Sequence, residues 1–376
     1  MTTLIDVKID SLGHIVTGKT PSKKVAEYFD GEFQFVTPSD LNFKHYYCRT
    51  TETTVTEAAK EKHKNQFIPT GSIMFTCIGN TIGKCAIASV DCLTNQQINT
   101  VIPHHQNESK FIYYFLNHYM DVFRGIGLSG GAATPIINKT DFSKVVLKAP
   151  ERTLWPEIGN LLSKYDDLIE NNRRRIQLLE ESARLLYQEW FVHLRFPGHE
   201  QIKVTDGVPE GWEKKPLKQI ATLNYGKALK AEVRVPGPFP VYGSSGEVGS
   251  HEKALVKGPG IVVGRKGNVG SIYWVNTDFY PIDTVYFISS EESSLFLYHA
   301  LQNVQFINTD VAVPGLNRDM AYSRGILIPD DKNLQRFLSE VKPIQEQINK
   351  LQDYNDRLAQ ARDLLLPKLM SGELTI

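Results

Sequence analysis

At 376 residues and about 150 residues per domain, the chain has room for two to three folded units. Its 41% hydrophobic and 22% charged content excludes wholesale disorder, and the lack of any apolar run near about 18 residues excludes a membrane-spanning helix. Basic and acidic residues number 42 each, so the chain does not coat nucleic acid by bulk charge, and any such contact must be local.

The opening segment, MTTLIDVKID, has neither the basic nor the apolar region of a secretory signal. Gly13 to Thr20, GHIVTGKT, satisfies the phosphate-loop pattern G-x4-G-K-T. A working phosphate loop needs a buried strand before it and a helix after it. Here IDVKIDSL alternates instead of running apolar, bulky His14, Ile15 and Val16 fill the loop, and Pro21 follows at once. The four cysteines, Cys48, Cys77, Cys85 and Cys92, form no CxxC pair and are expected as reduced core thiols of a cytoplasmic protein.

Further along, Ile73 to Phe75 and Val145 to Leu147 are short β-branched or aromatic runs expected as strands, and 111–124 is expected as a short helix. Gly125, Gly127 and Gly130 match G-x-G-x-x-G but follow a helical segment, so a flexible loop is expected there. From 158 to 190, residues Ile158, Leu162, Tyr165, Ile169, Asn172, Ile176, Leu179, Ala183, Leu186 and Trp190 fall at alternating steps of four and three. That spacing predicts a coiled-coil seam. PGHEQIKVTDGVPEG, 197–211, reads as a linker.

The second half repeats the first. GSIMFTCIGNTIG (71–83) is echoed by GPGIVVGRKGNVG (258–270), and INTV (98–101) by IDTV (282–285). PIINKTDFSKVVLKAP (135–150) lines up with PGLNRDMAYSRGILIP (314–329). Ile261 to Val263 and Val285 to Ile288 are expected strands, and 294–302 a short helix. A second seam runs through Phe337, Val341, Ile344, Ile348, Leu351, Asn355, Leu358, Arg362, Leu365 and Leu369, each at the same offset from its counterpart. Pro343 must kink this helix or open it. Pro329-Asp330 with Glu340-Val341-Lys342 mimics a nuclease motif, but Val341 sits on the seam, so the charges read as a solvated helix flank. No metal-ligand spacing or Ser-His-Asp arrangement is present, and His104-His105 has no partner in view.

The expected architecture is therefore α/β (α+β), with two homologous globular domains joined by two long antiparallel coiled-coil helices about a pseudo-twofold axis. The domain limits are 1–150, a helix at 151–196, the linker 197–211, a second domain at 212–330 and a helix at 331–376. Roughly 33 seam-bearing residues at about 1.5 Å each give a helix near ~50 Å long. The seams centre at about residues 174 and 353, which sets Asn172 opposite Asn355 in an antiparallel pair. A buried Asn pair fixes register because a slip leaves an amide facing a hydrophobe.

Loops rich in Gly, Lys, Ser, Thr and Asn occur in both copies. They carry Lys19, Thr20, Lys23 and Lys24, then Asn80 and Lys84, and in the second copy Lys227, Ser244, Ser245, Arg265, Lys266 and Asn268. Lys and Arg at such tips can reach phosphates, and Arg, Asn and Ser can read base edges. Arg265 and Lys266, flanked by Gly264 and Gly267, are the foremost candidates. These residues are the candidate DNA-binding set. No catalytic or metal residue is assigned.

DLIENNRRRIQLLEESARLLYQEWFVHLRFPGHE (167–200) and ARDLLLPKLMSGEL (361–374) resemble the central and C-terminal regions of specificity subunits of Type I restriction-modification enzymes. PEGW (209–212) and VYGSSGEVG (241–249) resemble parts of their second target-recognition domain. The resemblance implies a non-catalytic subunit that binds double-stranded DNA, each target-recognition domain reading one half of a bipartite site. The helices would dock two methyltransferase subunits. S-adenosylmethionine would sit on those partners, and ATP and magnesium on motor-nuclease subunits, with no cofactor on this chain and no membrane contact. A coiled-coil scaffold that binds proteins, or a phosphate-loop NTPase, are the alternatives.

Overall fold

A computed structural model describes residues 3–43, 45–129, 134–306 and 315–376. Gly130 and Pro314, used above as landmarks, lie outside the described residues. The chain divides into two units, residues 1–173 with 353–376, and residues 174–352. No helix among the described residues is long and apolar enough to cross a membrane.

In the first unit a five-stranded sheet runs in the order Gly13–Thr17, Ile98–Pro103, Ile73–Thr76, Cys85–Ala88, Tyr47–Cys48. In the second, four strands keep the same order: Asn224–Tyr225, Val285–Ile288, Gly260–Gly264, Ile272–Val275. A first strand also pairs antiparallel with a last one in each, Leu4–Lys8 with Val146–Pro150 and Glu213–Pro216 with Gly325–Ile328. The duplication is therefore one of topology as well as sequence. The phosphate-loop pattern is absorbed by it, because Gly13–Thr17 is an edge strand paired with Ile98–Pro103, not a loop before a helix.

Aromatic residues fill both cores. Phe75, Phe111, Phe115, Phe123, Phe142 and Trp155 are buried together in the first, with Leu369 and Met370 packed against them. Tyr187, Trp190, Phe191, Trp212, Phe296 and Phe337 form the second. All four cysteines are free and buried. Burial pushes the Cys77 thiol up to about 12, so it stays protonated and unreactive.

One expectation is corrected, and one of the two outcomes open to Pro343 is closed. Gly125 and Gly127 lie within the helix Met120–Ser129, not a loop, and the helical segment before them is Ser109–His118. A Cβ on Gly127 would sit 2.6 Å from Ile82 Cδ1, so a larger residue there would displace the tip of that side chain. Pro343 does not open its helix, which begins at Asp331 and continues to Met370. Pro343 and Ser339, whose carbonyl loses its helical donor, are both exposed, so water can satisfy the freed group.

The long helices have defined starts. Asp330 caps Asp331–Met370 by accepting from the Asn333 N–H at 2.9 Å, and its other oxygen accepts from Trp212 Nε1 at 2.9 Å. Trp155 Nε1 donates to the Pro150 carbonyl at 2.9 Å where Trp155–Tyr187 begins. Within the first unit, Asn172 Nδ2 donates to Asn355 Oδ1 at 3.0 Å, and Asp166 pairs with Arg362. Rising numbers on one helix meet falling numbers on the other, so the segments are antiparallel. Within the second unit, Trp190 meets Phe337 at 5.9 Å between ring centroids, in the same sense.

His299 lies in the second core, its ring centroid 6.2 Å from that of Tyr187 and 6.1 Å from that of Phe337. It is only 4% exposed, and burial drives its pKa down from 6.5 to about 4. A depressed pKa contributes stability that is complete above the unfolded value and is lost as pH falls through the folded one. The second unit should therefore lose about 2–3 kcal/mol between pH 7 and pH 4.5 on this account. His299→Phe should flatten that dependence, as read from denaturant midpoints at the two pH values followed by Trp190 and Trp212 fluorescence. An equally steep dependence in the variant would rule the histidine out as its source.

Candidate nucleic-acid interface

A Gly-Lys pair ends the edge strand in both units. Gly18 N–H donates to the Ile98 carbonyl at 3.2 Å and Lys19 N–H to Thr94 at 2.8 Å. Gly226 N–H donates to Val285 at 3.2 Å and Lys227 N–H to Pro281 at 3.0 Å. A Cβ on Gly18 would lie 2.2 Å from the Thr94 carbonyl oxygen, and one on Gly226 would lie 2.1 Å from that of Ile282. No side chain fits, so glycine is required at both positions. The lysine that follows is exposed in each case. This explains why the glycine stands in both copies when most of the phosphate-loop pattern does not.

The turn after the central strand is also shared. Ile137 N–H donates to the Cys77 carbonyl at 2.9 Å, and Leu316 N–H to Arg265 at 2.8 Å. Arg265 therefore takes the backbone position of Cys77, one residue out of step with the sequence echo, which sets it against Ile78. In the first unit that position is buried, with Asn99 Nδ2 donating to the thiol at 3.2 Å. In the second it carries a half-buried guanidinium that donates to the Asp283 carbonyl at 2.9 Å.

Arg265 does not stand alone. Its guanidinium lies 5.1 Å from the Tyr225 ring centroid and 5.7 Å from that of Tyr286. Arg318 lies 5.1 Å from the same Tyr225 ring and 5.9 Å from Tyr322. Cation–π contact holds both guanidinium planes while leaving most of their N–H donors free. With Lys266 and Asn317 these groups line a small open cleft of about 190 Å³. Burial raises the Tyr286 hydroxyl to about 12, and it donates to the Leu316 carbonyl at 3.0 Å, holding the floor of the cleft.

Tyr225 and Arg318 were missed in the sequence. The signal available for Arg318 was the repeat itself. Asn138 and Asn317 both cap short helices, accepting from Asp141 N–H at 2.9 Å and Asp319 N–H at 2.8 Å. The next residue is Lys139 in one copy and Arg318 in the other.

The remaining candidates divide by exposure. Lys23, Lys24, Asn80, Ser245, Lys266 and Asn268 are exposed. Thr20 is half-buried and donates to Gln96 Oε1 at 2.6 Å. Lys84 is spent on the Pro38 carbonyl at 2.9 Å. Ser244 is buried, and its carbonyl accepts from Ser271 Oγ at 2.7 Å and Tyr273 OH at 3.2 Å. Asn268 Nδ2 donates to Ser245 Oγ at 3.4 Å, which joins the 243–246 and 264–268 loops. No group of three or more His, Cys, Asp or Glu side chains able to hold a metal occurs among the described residues.

Two repeated domains, each carrying a basic tip on one sheet frame, define a duplicated recognition protein. The Type I restriction modification DNA specificity domain model matches residues 3–181 and 209–359, so the chain belongs to that family. It is 28% identical over 403 residues to the Type I restriction enzyme MjaIX specificity subunit of Methanocaldococcus jannaschii, covering 98% of this chain and 93% of that protein. It is 32% identical over 147 residues to the HindI specificity subunit of Haemophilus influenzae, covering 39% of this chain and 32% of that one. The crystal structure of the S subunit of a Type I restriction-modification system from M. genitalium matches its fold with a TM-score of 0.56 at 18% identity, over 98% of this chain and 96% of that one.

Proposed function

We propose that the chain is the DNA-reading specificity subunit of a Type I restriction-modification complex, with each domain contacting one half of a bipartite site. The observation that carries this reading is the constant frame with a changing tip. Lys19 and Lys227 leave identical backbone positions, as expected of phosphate contacts that set position. Arg265 offers a half-buried guanidinium at the backbone position where the first unit has the buried Cys77. The two domains thus present different chemistry from one frame, as expected where they read different half-sites. Neither alternative is favoured. Family membership speaks against a plain scaffold, and the strand at 13–17 against a phosphate loop.

In this reading the chain itself catalyses nothing. Methyltransferase partners would bring S-adenosylmethionine, and motor-nuclease partners ATP and magnesium. Exposed leucines on the long helices support docking of two copies of one partner. Leu185 and Leu364 hold equivalent repeat positions and are 46% and 69% exposed.

Binding of the assembled complex to its duplex tests the roles. Lys227→Ala should weaken binding evenly across sequences and lower the salt slope by about 0.9, one phosphate contact. Arg265→Ala and Arg318→Ala should each cost about 1–3 kcal/mol, and the one that reads a base should relax a single position. Wild-type affinity in all three variants would place the interface elsewhere.

A further inference from the structure

The two copies differ at one place where the first is closed and the second open. In the first unit the sheet ends on Tyr47–Cys48, which runs parallel to Cys85–Ala88, and Ile87 N–H donates to the Tyr46 carbonyl at 2.9 Å. Tyr46 is wholly buried, its ring centroid 4.7 Å from that of Tyr113 and 5.7 Å from that of Tyr114. Arg362 fills the adjoining space against Asp166. Arg49, just beyond, pairs with Glu170 at 3.7 Å.

None of these fillers has a counterpart among the described residues of the second unit. Among the described residues its sheet stops at Ile272–Val275. The register Ile73↔Ile87 and Ile261↔Trp274 puts Trp274 where Ile87 stands, so antiparallel alternation turns its N–H toward the open edge. The seam position of Arg362 is held by Ala183, and that of Asp166 corresponds to Gln345. A cavity of about 540 Å³ remains, lined among others by Trp274, Asn276, Tyr298, Glu180, Ala183 and Gln345.

We infer that this cleft receives an extended polypeptide segment of a partner protein, which adds a strand along Ile272–Val275, seats an aromatic side chain in the cavity and sets a cation beside Glu180. The strand follows from the open edge, a template for main-chain pairing. The aromatic follows from the first unit, where the equivalent space is closed by Tyr46. The cation follows from charge. Glu181 is paired with Arg184 at 2.6 Å, whereas Glu180 has no ion-pair partner among the described residues. The uncompensated charge of Glu180 also disfavours a phosphate backbone there. This inference goes beyond DNA reading and does not depend on it.

The probe is a synthetic peptide of residues 45–51, which carry the first unit's own covering strand, with Cys48→Ser. It is titrated into the full chain and followed by amide exchange at 272–276. Fluorescence gives a second signal, since Trp155, Trp190 and Trp212 are buried and Trp274 is only half-buried. Saturable protection of 272–276 is expected. Glu180→Lys should weaken it at least tenfold, and a peptide with Arg49→Glu should restore it. Ala183→Arg, which copies the first unit's filling, should abolish binding in a folded chain. Lack of protection at millimolar peptide, indifference to Glu180→Lys, or displacement of the peptide by duplex DNA would each overturn the inference.

Discussion

Arg362→Ala should destabilise the first unit by about 3–5 kcal/mol, the usual cost of orphaning one member of a buried ion pair. Asp166 has 2% side-chain exposure and Arg362 17%, so water cannot replace the lost guanidinium. Tyr114 donates to the second carboxylate oxygen but supplies no charge. Burial pushes the Asp166 carboxyl above its ordinary range, while the Arg362 charge and the Tyr114 hydroxyl oppose that shift. Without the arginine the folded-state pKa rises further. The variant's deficit should therefore be largest at high pH. It should shrink as pH falls through the variant's raised carboxyl pKa toward the wild-type one, which itself lies above the ordinary value, because a protonated Asp166 needs no counter-charge. Asp166→Leu added to Arg362→Ala should recover most of the loss, because a hydrophobic replacement leaves no buried charge. Amide exchange within 155–173 measures this in the intact chain. A single-variant loss below about 1 kcal/mol would mean the pair is solvated in solution.

The second large effect concerns specificity. Replacing residues 212–330 with the equivalent domain of another family member should change one half of the methylated sequence and leave the other half and the spacer intact. The graft has natural seams. Trp212 Nε1 donates to Asp330, so both ends of the exchanged segment are tied to each other. The inserted domain must keep apolar residues at Phe296 and Leu297, which pack with Tyr187 and Phe337 in the second core. Lys19, Lys23, Lys24 and Asn80 stay in place. Methylome sequencing of cells that carry the swapped subunit with its methyltransferase decides the matter. Changes in both halves, or in neither from an active complex, would mean that the copies do not divide the reading between them.

Periodic features were legible in the sequence and convergent ones were not. The 4-3 seam is a property of one helix at a time, so spacing alone defines which residues share a face. Asn172 and Asn355 then follow from the seam centres, and they meet at 3.0 Å. Strands such as Ile73–Thr76 and Val285–Ile288 stand out as short runs between glycines and prolines. The arginine–tyrosine cleft was hidden because Tyr225, Arg265 and Arg318 come from three separate segments, and no spacing joins them. Arg362 was a half-read signal. A cation at a seam position demands a partner, but Asp166 lies one place off the opposite seam and announces nothing by itself. The glycines at 125 and 127 misled because small residues serve loops and tight helix packing alike. Their place within the helix Met120–Ser129 tells the two apart.

The division of the chain also sets an order of completion during synthesis. The second unit is one continuous stretch, residues 174–352, whereas the first needs residues 353–376 as well as its own N-terminal part. Leu369 and Met370, which belong to the first core, are translated after every residue of the second. The domain that leaves the ribosome first is therefore the last to be completed, and it waits with part of its apolar surface uncovered while its sibling folds. Its closing contacts span the whole of the intervening unit, so the sequence separation of those contacts is large and their closure comes late.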